Sequence, residues 1–297
     1  MPSRLCMDEP ALPVKRDVRR SFDRAARTYD EAAFLQREVC ARLVEHLEPM
    51  RLTPRRLLDL GCGTGHAFDA LARRFPAASI LGLDIAPAML ERARARSPWW
   101  RRMLGPRHPA LVCADAERLP VAPASVDLVF SNLVLQWCDP ARAFAETARA
   151  LANEGLFLFS TVGPDTLKEL RAAFAQADGA PHVNRFVDMH DLGDALVHAG
   201  FADPVMEMET LTLEYDSVLA IVRDLKALGA VNSLPSRSRG LPGRQRWRRM
   251  TEAYEGFRRD GMLPATWEIV YGHAWKVPPK RLADGRQVVG FAPRVAR

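Results

Sequence analysis

Short apolar runs alternate with amphipathic stretches through the middle of the chain. The runs are Leu57 to Leu60, Ile80 to Leu83, Leu111 to Cys113, Val126 to Phe130 and Leu156 to Phe159. Each is bounded by turn residues and reads as a buried strand. Between them apolar positions recur every three or four residues: Phe68, Leu71 and Phe75, then Met89, Leu90 and Ala93, then Phe144 and Ala148. That spacing predicts helices. Pro87 and Pro140 stand where two of them begin, a position at which proline loses no hydrogen bond. Strands alternating with helices predict an α/β fold with a parallel sheet.

The flanks read differently. From Val14 to Met50 two helices are expected, one with Phe22, Ala25, Ala26 and Tyr29 in register, the next with Leu35, Val39, Leu43 and Leu47. Past the fifth run, a helix from Pro164 carries Leu167, Leu170 and Phe174. A shorter one, Asp191 to His198, is closed by Gly200 as a left-handed cap. Val205 to Tyr215 alternates and reads as a sixth strand. Val218, Ile221, Val222 and Leu225 mark a helix, another runs from Arg244 towards Arg259, and Trp267 to Trp275 is the last strand. One domain over 14–277 is expected, with N-terminal helices over 14–50 and a core over 56–160. Insertions over 161–203 and 216–263 form a lid. Residues 1–13 and 278–297 are expected to be loose ends.

The candidate chemistry gathers where the first strand meets Gly61, Gly63 and Gly65. Glycines there permit positive φ and let a ligand lie against bare backbone. A strand, glycine turn and helix cradle nucleotides. A dinucleotide fingerprint wants a further glycine where this chain has His66. Asp59, just before the turn, repels a pyrophosphate and attracts a cation. S-adenosylmethionine (SAM), with its ammonium and sulfonium, fits those charges better than NAD. The second run ends at Asp84, followed by Ile85, at the spacing from which an acid reaches ribose hydroxyls. The third leads to Asp115 and Ala116, and the fourth to Ser131, Asn132 and Leu133. A lone acid after a strand is ordinarily a turn residue. A series of them beside a glycine turn marks the ligand-binding edge of an open sheet. Asp59, Gly61, Gly63, Gly65, Asp84, Ile85, Met89, Asp115, Ala116, Asn132 and Leu133 are therefore the expected cofactor contacts.

Composition narrows the class. The 297 residues are 48% hydrophobic and 26% charged, ordinary for a globular protein. No run has the length of a membrane span. Met1 to Pro13 has no apolar core and carries Asp8 and Glu9, so neither signal peptide nor presequence is expected. Cys6, Cys40, Cys62, Cys113 and Cys138 are scattered, which argues for a reducing cytoplasm and against a zinc site. No metal is expected.

The strand-end pattern from Leu57 to Ser160 resembles the class I SAM-dependent methyltransferases. That resemblance implies a Rossmann-like, seven-stranded, mostly parallel sheet with an antiparallel last strand. Further segments narrow it: 131–138 (SNLVLQWC), 181–186 (PHVNRF), 225–230 (LKALGA), 264–268 (PATWE) and 272–275 (GHAW). Their order and joint presence, from Arg20 to Trp275, resemble the malonyl-[acyl-carrier protein] O-methyltransferases of biotin synthesis. These methylate the free carboxylate of a malonyl thioester. Tyr29 matches a tyrosine that many small-molecule methyltransferases of the wider class fold over the active site, and the closer resemblance implies an acidic acyl-carrier protein as the partner. Arg185, flanked by His182 and Asn184, is the expected carboxylate anchor.

Other readings stay open. The core and residues 165–171 (DTLKELR) are shared with a complex I assembly factor that hydroxylates an arginine. A non-catalytic SAM-binding assembly protein and another small-molecule methyltransferase also fit the core. RNA methylation fits the net charge of +6 but lacks an appended RNA-binding module. Arg237, Arg239, Arg244, Arg246, Arg248 and Arg249 crowd a stretch with no acid between Lys226 and Met250. Arg244, Arg246 and Arg249 are the expected docking residues for the acidic carrier, with the loop at Arg101 and Arg102 as the alternative.

Overall fold

A computed structural model describes residues 12–96, 108–178, 180–235 and 243–278. The expectations for 1–11, for the Arg101–Arg102 loop, for Arg237 and Arg239, and for the tail from 279 lie outside them. One seven-stranded sheet runs in the order β3-β2-β1-β4-β5-β7-β6. Its strands are β1 Arg56–Leu60, β2 Ser79–Asp84, β3 Ala110–Cys113, β4 Val126–Asn132, β5 Leu151–Val162, β6 Phe201–Tyr215 and β7 Leu263–Lys276. β1 to β5 pair in parallel, while β7 is antiparallel to both β5 and β6. The expected α/β class and antiparallel last strand are both present. The order reverses between β1 and β4, the switch point where open sheets of this kind bind ligands.

Helices cover both faces: α4 Phe68–Arg74, α5 Pro87–Arg96, α6 Pro140–Ala150, α7 Lys168–Ala177 and α8 Met189–His198. Leu57, Leu128 and Leu158 pack to one side with Leu71 and Phe75, and Leu58, Val129 and Phe157 to the other with Phe144 and Leu196. The alternation is the two-residue period of a strand buried on both faces. Leu58 is fully buried. Trimming it to alanine costs about 2–5 kcal/mol.

Several boundaries differ from expectation, each for a local reason. The N-terminal region has three helical pieces, α1 Lys15–Ala25, α2 Tyr29–Ala32 and α3 Phe34–Glu45. Ala33, at ψ 41°, breaks the spiral before α3. The helix expected from Pro164 starts only at Lys168, because Leu167 is left-handed with φ 55°. β6 begins at Phe201, before Val205, and passes Pro204 in a bulge between Ala202 and Val205. Proline has no N–H for the ladder, so a bulge there lets the strand continue. β7 starts at Leu263 because Tyr215 still pairs with it. α9 Val218–Ala227 and α10 Arg244–Glu255 fill the second insertion. No helix among the described residues is long and apolar enough to cross a membrane.

Candidate active site

The glycine turn opens where the sheet order reverses. Gly61, Gly63 and Gly65 have φ of 74°, 53° and 80°. Gly61 has a second reason to be glycine: a Cβ there lies 2.1 Å from a methyl of Val134. The amides of Gly61 and Cys62 donate to the Leu83 carbonyl at 2.7 and 2.9 Å, which fixes the turn against the end of β2. Asp84 accepts from Gly63 N at 2.9 Å and from Ala86 N at 2.8 Å. Gly61, Gly63, Asp84, Ile85, Met89, Asp115, Ala116, Asn132 and Leu133 line one cleft of about 620 Å³, mouth included. That is a small-molecule site in size.

Two expected cofactor contacts are not on its wall. Gly65 packs under it, where a Cβ meets Phe68 at 2.6 Å. Asp59 is 2% exposed and lies beneath the turn, not at its mouth. It pairs across the sheet with Gly82 and Phe130, so the interior strand carries it inward. Its Oδ2 has no hydrogen-bond partner. Burial, with Asp84 nearby, pushes Asp59 up to about 8. Burial also pushes Asp84 up to about 6, against the backbone N–H donors that favour its ionised form. Two buried carboxylates and an unpartnered oxygen at a bare-backbone turn call for a cationic ligand with hydroxyls. SAM fits this donor set: Asp84 would hold the ribose and the Asp59–Asp84 field its positive charges.

The cleft has a lid that the sequence marked only at Tyr29. Lys15, Val18 and Phe22 on α1 also line it. Lys15 bonds Asp115 at 3.0 Å and Glu117 at 2.8 Å. Burial draws its ammonium down, but Cys138, Glu117 and Asp115 outweigh that and raise it. The neighbouring α2 is latched to the glycine turn. Asp30 accepts from Thr64 Oγ1 at 2.6 Å and pairs with Arg96 at 2.6 Å. Tyr29 is thereby held over the cleft. Burial, then Asp84 and Asp30, raise its phenol, so the hydroxyl is a neutral donor at any working pH.

A second cavity, of about 710 Å³ with its opening, adjoins the first. Phe22, Tyr29, Leu133 and Trp137 line both. Leu133 is left-handed with φ 55°, a strained backbone at a shared wall. Its N–H donates to Ser160 O and Ser160 Oγ, both at 3.0 Å. Segments far apart in sequence close the rest. His182, Asn184, Phe186, Leu225, Ala230 and Trp267 all line it. Two of these segments interlock behind Trp267: Leu167 N donates to Thr266 O at 2.7 Å and Asp165 N to Glu268 Oε2 at 2.6 Å. Glu169 accepts from Thr266 N at 3.1 Å and from its hydroxyl.

Arg185 does not lie where the expected anchor would. It is exposed and lines neither cavity. Asn184 and Phe186 turn inward on either side of it, so the chain carries the side chain between them outward. Arg246 also turns away from the expected direction. It is 24% exposed and donates to Asp178 Oδ2 at 2.8 Å, an inward tie. His182 Nε2 lies 2.7 Å from the other oxygen of Asp178, and its ring stacks on Phe174 at 3.9 Å. Arg244 and Arg249 are exposed. Residues missed in the sequence are Lys15, Gln36, Gln136 and Asn232. Gln136 falls within the distinctive 131–138 segment but is not singled out, and the others carry no local signal.

Known proteins resemble this chain in sequence and in fold. The profile of a family described as a methyltransferase domain matches residues 58–159. The malonyl-[acyl-carrier protein] O-methyltransferase of Laribacter hongkongensis is 54% identical over 97% of this chain and 99% of its own. Among solved structures, the YcgJ protein of Bacillus subtilis superposes with a TM-score of 0.56 at 18% identity, over 81% of this chain and 99% of that one. The [4+2]-cyclase SpnF superposes equally well, with a TM-score of 0.56 at 19% identity over 91% of this chain and 98% of its own. The fold therefore does not fix the reaction, and the near relatives carry more weight. On that similarity the chain belongs to the malonyl-[acyl-carrier protein] O-methyltransferase family.

Proposed function

We propose that the protein transfers the methyl group of SAM to the free carboxylate of a malonyl thioester on acyl-carrier protein. The methyl ester would serve pimeloyl and biotin synthesis in the cytoplasm. The observation that carries this reading is the shared wall between the cofactor cleft and the second cavity, in a chain 54% identical to a named relative. When bound, SAM supplies a methyl group already activated on a positively charged sulfur.

The residues then have three tasks. Asp84 and the glycine turn hold the cofactor. The latch from Asp30 to Thr64 and Arg96 keeps Tyr29 over both cavities and excludes water. The second cavity presents the substrate carboxylate to the wall at Tyr29 and Leu133. That carboxylate is ionised at neutral pH and needs no general base. Tyr29, a neutral donor, orients it and keeps its own proton. Among the described residues no lysine or arginine lines the second cavity. An apolar, enclosed setting favours a step in which opposite charges cancel.

The carrier is read as docking on the outer face of α10 through Arg244 and Arg249, with exposed Arg248 beside them. Complementary charge speeds encounter with an acidic partner more than it tightens the complex. Formation of S-adenosylhomocysteine tests the reading. It should appear with malonyl-carrier protein and not with acetyl-carrier protein, which lacks the carboxylate. Equal formation with both would point to another acceptor. The arginine-hydroxylase alternative is not favoured, because the near relatives are named as methyltransferases.

A further inference from the structure

Two buried polar atoms without a hydrogen-bond partner belong to residues that line the second cavity: Nε1 of Trp267 and Oε1 of Gln36. Trp267 is 7% exposed. A buried indole N–H with no acceptor is a standing cost to the fold, and the cavity that Trp267 lines can admit one. Beside the Tyr29 hydroxyl, which faces the shared wall, three polar side chains lining the cavity are already engaged. Gln136 donates to the Leu133 carbonyl at 2.8 Å, Asn232 to the Pro181 carbonyl at 2.6 Å, and His182 is paired with Asp178. Gln36 is placed from the cofactor side, since its backbone carbonyl accepts from Asn132 Nδ2 at 3.0 Å.

We infer that the Trp267 indole N–H and the Gln36 side-chain amide together hold the substrate carboxylate, the Gln36 amide turning so that its Nε2 donates. This rests on the malonyl reading above and names the residues that recognise the acid. The chemistry favours neutral donors here. A guanidinium holds the ionised acid most tightly before transfer, when its charge is full, and less afterwards. That binding stabilises the ground state and slows the step. An indole and an amide orient the two oxygens while leaving the charge uncompensated. Once the ester forms, only one good acceptor remains, so the product is held less well than the substrate.

The test measures binding as well as turnover. In the presence of S-adenosylhomocysteine, calorimetry compares a malonyl thioester with its methyl ester. Wild type should prefer the acid at least tenfold. Trp267→Phe and Gln36→Met should each shrink that preference severalfold or more, while the affinity for SAM stays unchanged. In a ¹⁵N-labelled sample, one indole N–H resonance, identified by its loss in Trp267→Phe, should move downfield with the malonyl thioester and not with the ester. Gln36→Met and the resonance shift keep the assignment testable if Trp267→Phe folds poorly. An unmoved Trp267 resonance with the acid demonstrably bound, or an intact acid preference in both variants, would overturn the assignment and leave the malonyl reading standing. A wild-type protein that neither binds nor methylates malonyl thioesters would overturn both.

Discussion

His182 and Arg246 share one carboxylate: Asp178 Oδ1 lies 2.7 Å from His182 Nε2, and Oδ2 accepts from Arg246 at 2.8 Å. The tie joins the end of α7, the cavity-lining loop and the basic helix α10. The basic helix is thus tied to the cavity-lining loop through Arg246, while Arg244, Arg248 and Arg249 are exposed. Arg246→Glu should therefore lose activity on a short malonyl thioester and on malonyl-carrier protein alike, and lower the Tm. The loss of a charged hydrogen bond is about 1.5–3 kcal/mol. Arg244→Glu with Arg249→Glu should raise KM severalfold for the carrier only. That effect should fade with salt, because exposed charges are screened within about 8 Å at physiological ionic strength. Equal losses on both substrates in the double variant would move the docking surface elsewhere.

The buried acids set a pH dependence. Asp59 and Asp84 are raised to about 8 and about 6 by burial, above their ordinary value. Raised carboxylates contribute stability that is full below about pH 4 and is lost as pH climbs through the folded values. The unliganded fold should weaken between about pH 4 and 8. A cationic ligand binds the ionised form, so SAM affinity should rise from about pH 6 to 8. Binding at pH 7 should release up to about one proton, read as a buffer-dependent heat. Asp59→Asn should abolish the release and weaken SAM binding. Affinity that ignores pH, with no proton released, would separate Asp59 from the site.

Asp84 has a direct role to check. Asp84→Ala removes the acceptor expected for the ribose, a deficit of about 1.5–3 kcal/mol. SAM affinity should fall tenfold or more in a folded protein. Because Asp84 also braces Gly63 and Ala86, Asp84→Asn serves as the control that keeps one acceptor. Unchanged SAM affinity in both variants would place Asp84 outside the site.

Arg185 is exposed and outside both cavities. Arg185→Ala should keep SAM binding and turnover on a short malonyl thioester within about threefold, as for surface substitutions away from a site. A collapse of turnover on the short substrate would return Arg185 to the acid-binding role.

The strand ends were legible because each strand's chemistry is local. Asp84 and Asn132 end their strands, Asp115 lies two residues past its own, and all three reach the cleft without help from distant segments. Asp59 was legible as an acid but not as a buried one, since its depth depends on β2 and β4 covering it. The second cavity was hidden for the same reason in stronger form. Gln36 lies on a helix before the sheet and Trp267 on the last strand, and no spacing in the sequence relates them. Arg185 drew attention as the charge in a distinctive loop, but chain direction turned it outward while its neighbours turned in. Arg246 looked like the arginines around it until Asp178, across the insertion, claimed it.

The most direct measurement follows the methyl group. With SAM labelled in its methyl carbon, wild-type protein should place the label on malonyl-carrier protein as a base-labile ester, and none on acetyl-carrier protein. Label on the carrier polypeptide itself, label that survives base, or bound SAM with no transfer to malonyl-carrier protein would contradict carboxyl methylation.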